Sequence, residues 1–215
     1  MSTSSWDELE KEILNCRKCK LHANRRNAVP GEGNKNSPVV FIGEAPGEKE
    51  DEMGRPFVGA AGKLLTELIE SIGYKREDFY ITNVVKCRPP GNRDPEDDEI
   101  EACLPYLIKQ LELLKPRVIV ALGRHSGRIL FRLAGLKWIN MAAHHGKVHK
   151  VNLLGFETSI IPTYHPASAL YKPPLRMDLE KDFKEVIKPA VDESLSTTPG
   201  EVKRTRTLFD YVRKR

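Results

Sequence analysis

The sequence predicts an α/β fold, a central and mostly parallel sheet with helices on both faces, three layers in all. Three observations carry this. Short apolar runs rich in β-branched residues recur at 39–42, 79–85 and 118–122. Between them, at 64–72 and 100–111, apolar residues recur at helical spacing. Glycine or proline marks the junctions, as at Gly43, Gly73, Pro116 and Gly123. Strands alternating with helices make parallel βαβ units, whose strands are buried on both sides and read as continuous apolar runs.

The elements follow in order. Ser5-Trp6-Asp7-Glu8 has the form of a capping box, and Leu9, Ile13 and Leu14 follow at helical spacing, so a first helix runs toward Cys16. Residues 17–37 are basic and loop-like. Val39-Val40-Phe41-Ile42 is a buried strand, and the Gly- and Pro-rich stretch 43–62 after it reads as loop. Leu64, Leu65, Leu68, Ile69 and Ile72 form one helical face that Gly73 ends. A second strand covers 79–85. Asp94 and Pro95 suit the N-cap and first turn of a helix carrying Ile100, Cys103, Leu104, Leu107 and Leu111. Val118 to Leu122 is a third strand, 124–136 is helical, and 148–154 and 158–163 are two further strands. Residues 176–190 are amphipathic. We place one domain at 1–190, with a linker and basic tail at 191–215.

Composition narrows the class. The chain has 215 residues, 40% of them hydrophobic, enough for a sizeable core and against wholesale disorder. No run of about 18 apolar residues could span a membrane. The first residues are polar and lack a secretory apolar stretch, so a cytoplasmic, monomeric protein is expected. The net charge is +5, but residues 201–215 alone hold six basic and two acidic side chains, so the rest is nearly neutral. A 30% charged content with a single glutamine, Gln110, is a thermophile-like bias.

The four cysteines form a set. Cys16 and Cys19 make a Cys-x-x-Cys pair, and Cys87 and Cys103 lie far downstream. Four soft ligands in an intracellular chain suit one thiolate metal site, zinc or iron–sulfur, and the spacing does not choose between them. Buried free thiols or two disulfides are the alternative.

The loops beyond the strands carry the other candidates. Gly43-Glu44-Ala45-Pro46-Gly47 can turn tightly with backbone N–H groups pointing outward, as anion stabilisation requires. Phe57 sits among glycines, a base-stacking platform or a core residue. Asn83 interrupts an apolar strand, as a ligand reader or a satisfied core amide. His165, at the end of the last strand, is a candidate donor to an oxyanion. His125, His144, His145 and His149 read as surface or core residues.

Together these segments resemble the family 4 uracil-DNA glycosylases, the thermostable iron–sulfur branch of that superfamily. The likeness spans about residues 5–188. It rests on Cys16-x-x-Cys19, Gly43-Glu44-Ala45-Pro46-Gly47, Gly54-Arg55-Pro56-Phe57, the run Thr82 to Pro90 with Asn83 and Cys87, Cys103, and His165-Pro166. The resemblance implies a 4Fe–4S cluster on the four cysteines. It implies that uracil-containing DNA, single or double stranded, is the substrate and that the uracil is flipped out and hydrolysed from the sugar. Gly43, Glu44 and Ala45 would line the uracil pocket, Phe57 would stack on the base, Asn83 would bind its polar edge, and His165 would face O2. The better-known branch carries an Asp where this chain has Ala45, so Glu44 and Glu50 are the candidates to activate water. It carries a Tyr where this chain has Gly47, so Glu50 is the candidate to exclude thymine. Leu170 and Tyr171 are candidates for a wedge into the gap left by the flipped base, with a Pro-rich connection as the alternative. In the tail, Leu208, Phe209 and Tyr211 resemble a degenerate sliding-clamp motif, against a plain basic tail. An iron–sulfur redox protein and a non-catalytic nucleic-acid module share the cysteines, but neither accounts for Phe57, Asn83 and His165.

Overall fold

A computed structural model describes the backbone of residues 3–196 and the side chains of 6–196. Among these residues, six strands form one sheet: Glu32–Gly33 (β1), Val39–Gly43 (β2), Tyr80–Asn83 (β3), Val118–Leu122 (β4), His149–Leu153 (β5) and Phe156–Thr163 (β6). Their spatial order is β1-β3-β2-β4-β6-β5. The inner strands β3, β2, β4 and β6 run parallel, and β1 and β5 pair antiparallel at the edges. β2, β3 and β4 are buried along their whole length, as their continuous apolar runs require.

Side chains of a strand alternate between faces, so each inner strand feeds two cores. Val40, Ile42, Ile119 and Ala121 face the helices Thr3–Leu14 (α1), Asp97–Leu114 (α4) and Arg124–Leu133 (α5). Val39, Phe41, Val118 and Val120 face Ala60–Ser71 (α3) and the C-terminal helical segment. After the short helices Met141–His144 (α6) and Pro166–Ala169 (α7), that segment runs as Pro173–Asp182 (α8), a π turn at Phe183–Ile187 and Lys188–Ser196 (α9). The three expected layers are present.

Four differences from the sequence reading have local causes. A short helix, Glu48–Met53 (α2), lies inside the stretch read as loop. It is too short to show apolar periodicity, and three acidic residues in its first turn complement the helix dipole. β1 has two residues and leaves no pattern. α4 begins at Asp97 instead of after Asp94, because the Glu99 carboxylate accepts the Glu96 N–H at 2.8 Å and binds Arg93. The last helix continues past residue 190 to Ser196, with Val191 buried against the sheet.

Candidate active site and cysteine centre

Ligands of parallel sheets bind beyond the carboxyl ends of the strands. Here the register assembles that end. β2 pairs Gly43 with Asn83, and β4 pairs Leu122 with Thr163, which sets Gly123 beside His165. A cleft of about 670 Å³ opens there, and Glu44, Ala45, Phe57, Asn83, Tyr164 and His165 line it.

The Phe57 loop is held in an uncommon shape. Phe57 has φ 51°, a left-handed conformation that a bulky side chain adopts only under constraint. Three constraints are visible. Gly62 of α3 abuts the Phe57 carbonyl so closely that a Cβ there would come within 1.8 Å of its oxygen. Arg76 Nη2 donates to the Pro56 carbonyl at 2.5 Å. Glu50 accepts from Val58 N–H at 2.8 Å and Gly59 N–H at 2.9 Å through Oε1, and from Gly47 N–H at 3.1 Å through Oε2. Glu50 thus fastens the Gly43–Gly47 loop to the Phe57 loop.

The three aromatic and polar candidates come together. Phe57 and His165 stack with ring centroids 5.7 Å apart and planes 29° apart. The Phe57 ring and the Asn83 amide both close over Gly43, whose missing Cβ would stand 2.5 Å from Phe57 Cζ and 2.3 Å from Asn83 Oδ1. Asn83 is 2% exposed, and its Oδ1 has no hydrogen-bond partner. His165 caps the turn Pro166–Ala169 (α7), its Nδ1 accepting from Ala167 N–H at 3.1 Å. This assigns the proton of the neutral ring to Nε2. Burial pushes the His165 pKa down to about 4, against the opposing pull of Glu50, so the ring is an uncharged donor at neutral pH.

Three side chains that sequence reasoning did not combine meet beside the cleft, whose lining includes Glu44 and Asp94. Glu44, Asp94 and His125 bring their polar atoms within 4.8 Å of one another. Burial first, and then the Asp94 carboxylate, push Glu44 up to about 7, with Arg124 and Arg128 opposing. Burial holds His125 below its ordinary value. The one available signal was position, since Gly123-Arg124-His125 follows β4 at this same sheet end.

Behind Asn83 lies a buried lysine. Lys86 Nζ donates to Thr82 Oγ1 at 2.7 Å, the Asn83 carbonyl at 2.6 Å and Gln110 Oε1 at 2.6 Å. Gln110, the chain's single glutamine, spends its Nε2 on the Pro30 carbonyl and Tyr80 hydroxyl.

The wedge candidates differ in placement. Leu170 is partly buried against the core, and Tyr171 is 87% exposed. Leu208, Phe209 and Tyr211 lie outside the described residues.

All four cysteines are free and line one small cavity between α1, the segment after β3, and α4. Arg25 Nη1 donates to Cys87 Sγ at 3.0 Å, Lys86 N–H to Cys103 Sγ at 3.2 Å, and Lys18 N–H to Cys16 Sγ at 3.5 Å. Burial raises the thiol pKa of Cys19 and Cys87 and pushes Cys103 up to about 12, so those three stay protonated as bare thiols. Four sulfurs converging from three segments, with N–H donors aimed at them, fit a thiolate-bound metal group. Among the described residues no helix is long and apolar enough to cross a membrane.

The sequence model of the Uracil DNA glycosylase superfamily matches residues 30–189. A Type-4 uracil-DNA glycosylase of Archaeoglobus fulgidus is 49% identical over 97% of this chain and 99% of its own length. One of Saccharolobus solfataricus is 53% identical over 90% of this chain and 88% of its own length. A relative of the same name, from Thermotoga maritima, is 47% identical over 75% of this chain and 81% of its own length. On that family match and on relatives about half identical over most of the chain, the chain belongs to the uracil-DNA glycosylase superfamily, among its type-4 members.

Proposed function

We propose that this chain removes uracil from DNA by hydrolysing its N-glycosidic bond, leaving free uracil and an abasic site. The observation that carries the reading is the buried, unpartnered Oδ1 of Asn83, in a cleft wall that also holds the Phe57 ring and uncharged His165. An unsatisfied buried acceptor costs about 1–3 kcal/mol, a cost that a ligand N–H would relieve. Uracil N3–H and O4 match an amide's acceptor and donor, whereas cytosine presents the reverse pattern at these positions.

Reaching the base requires flipping it out, at a cost of a few kcal/mol. Stacking on Phe57 offsets about 1–3 kcal/mol of that. As the C1′–N1 bond breaks, its electron pair leaves with uracil, and negative charge grows on O2. His165 Nε2–H and the backbone around Gly43, Glu44 and Ala45 stabilise that charge. A neutral imidazole donates without needing to be charged beforehand. Glu50, with both oxygens held by backbone N–H groups, serves as a fixed wall beside the base and excludes the thymine methyl. That leaves Glu44 as the group that takes a proton from the attacking water.

We read the cysteine set as holding a 4Fe–4S cluster. Bound there, the cluster would tie α1 and the chain after β3 to α4. Exposed Tyr171 is the better wedge candidate of the two, since Leu170 already packs on the core. The basic tail beyond 200 adds affinity for DNA or for a sliding clamp.

The test is incubation with a uracil-containing single-stranded oligonucleotide followed by alkali. Strand cleavage is expected in the wild type. Asn83→Ala and His165→Ala should lower the single-turnover rate by orders of magnitude with DNA affinity nearly unchanged. An uncleaved oligonucleotide, or wild-type rates in both variants, overturns the reading. Iron and sulfide analysis separates a cluster from zinc, and a pull-down with and without residues 201–215 decides the clamp.

A further inference from the structure

The uracil-contacting set uses neither Asp94 nor His125, yet the fold brings both to Glu44. Glu44 comes from the loop after β2, Asp94 from the chain ahead of α4, and His125 from the first turn of α5. His125 Nε2 lies 3.2 Å from Asp94 Oδ2 and 3.9 Å from Glu44 Oε2. Its ring nitrogens are buried and make no hydrogen bond. Asp94 is also paired with Arg124, so the residue next to His125 ties it to α5. Three polar side chains from three separate segments thus meet beside the reaction cleft, with Glu44 and Asp94 in its lining.

We propose that Asp94 and His125 are positioning residues for Glu44, holding it where it can take the proton of the water that attacks C1′. The proposal rests on the glycosylase reading and on Glu44 as its base. In the step, the water oxygen bonds to C1′ while the C1′–N1 electron pair leaves with uracil. The water proton passes to Glu44, and solvent later protonates the departed uracil anion. A base works best when its pKa lies near the operating pH. The charged groups acting on Glu44 are Asp94 and, with opposite sign, Arg124 and Arg128 of α5, while neutral His125 lies 3.9 Å away. Asp94 opposes ionisation of Glu44 and thereby strengthens it as a base, while the arginines limit the effect.

The experiment is a single-turnover pH–rate profile on a uracil oligonucleotide at saturating protein. Glu44→Gln should abolish the acid limb together with most of the rate. Asp94→Asn should move the limb down by about one pH unit, because a like charge beside a carboxylate raises its pKa. Asp94→Glu should restore it, and Arg124→Gln should move it up. His125→Gln should keep the limb and lower the plateau about tenfold, an effect of misplacement. Affinity for an abasic oligonucleotide and the thermal midpoint of Asp94→Asn should stay at wild-type values, since Asp94 is exposed. If Glu44→Gln keeps the wild-type rate and profile, Glu44 is not the base and the proposal falls with that reading. If Glu44→Gln is inactive but Asp94→Asn leaves the limb in place and His125→Gln the plateau, the base stands and the positioning proposal is overturned. A limb that vanishes in His125→Gln also overturns it, by assigning the titration to His125.

Discussion

Gly43→Ala probes the cleft at its tightest point. A methyl at residue 43 would stand 2.3 Å from Asn83 Oδ1 and 2.5 Å from Phe57 Cζ, where ordinary contact begins at 3.4 Å. Both groups would have to retreat by about 1 Å to reach that contact. Neither retreats freely. Asn83 is fixed by its register against Gly43 and by Lys86 on its carbonyl. Phe57 is held by Gly62 behind its carbonyl and by Glu50 on the next two N–H groups. Overpacking of this kind costs about 1–3 kcal/mol of stability. A displacement of about 1 Å at a reacting centre costs on the order of 100-fold in rate. The assay is the single-turnover rate of uracil release, read beside the circular-dichroism melting curve and affinity for uracil-free DNA. We expect a stably folded protein at the assay temperature, DNA affinity close to wild type, and a rate about 100-fold lower, as that misplacement predicts. A near wild-type rate would show that the Phe57–Asn83 contact over Gly43 is not part of the catalytic geometry. A rate that falls only in proportion to the folded fraction would refute the reasoning equally.

Further expectations follow from the same contacts. Lys86→Met leaves the Asn83 carbonyl and Gln110 Oε1 without their buried donor, so denaturant unfolding should show a loss of about 1–3 kcal/mol or more. A midpoint equal to wild type would mean that the ammonium contributes nothing. His144 and His149 are held below the ordinary histidine pKa by burial, so their neutral forms belong to the folded state. Their unfolded pKa is about 6.5, so their contribution is intact above that pH and is lost as pH falls below it toward the depressed folded values. The difference in thermal midpoint between wild type and His149→Asn should therefore shift against wild type as pH falls from 7 to 5, and a pH-independent difference would exclude this linkage. Tyr171→Ala, at an exposed position, should change stability by less than about 0.5 kcal/mol. It should still slow uracil release from duplex DNA more than from single strands, and equal slowing on both would exclude a wedge.

The parts of this protein that can be read from the chain are those in which neighbouring residues share one environment. Val39 to Ile42 and Val118 to Leu122 read as buried strands because every residue in them is buried. Asn83 stands out because it breaks such a run, and Cys16 and Cys19 stand out because their spacing is short. The Glu44, Asp94 and His125 group does not stand out, because its members are charged or polar residues in loops, where polar residues are ordinary. Only the parallel register, which stacks the ends of β2 and β4, turns that separation along the chain into contact. Lys86 makes the same point more sharply. Beside Val84 and Val85, a lysine reads as a surface residue at the end of a strand, since lysines are rarely buried unpaired. Its burial becomes intelligible only with Gln110, which α4 carries to the same side of the sheet and whose amide accepts from the ammonium while donating to Pro30 and Tyr80. The lone glutamine that composition presents as thermophile-like economy sits where its amide donor and acceptor are both in use. A substitution that keeps one function and loses the other, such as Gln110→Glu or Gln110→Met, leaves buried groups unmatched beneath Asn83. Polar residues that meet only through topology are thus as closely tied to the cleft beyond the sheet as the motif residues that line it.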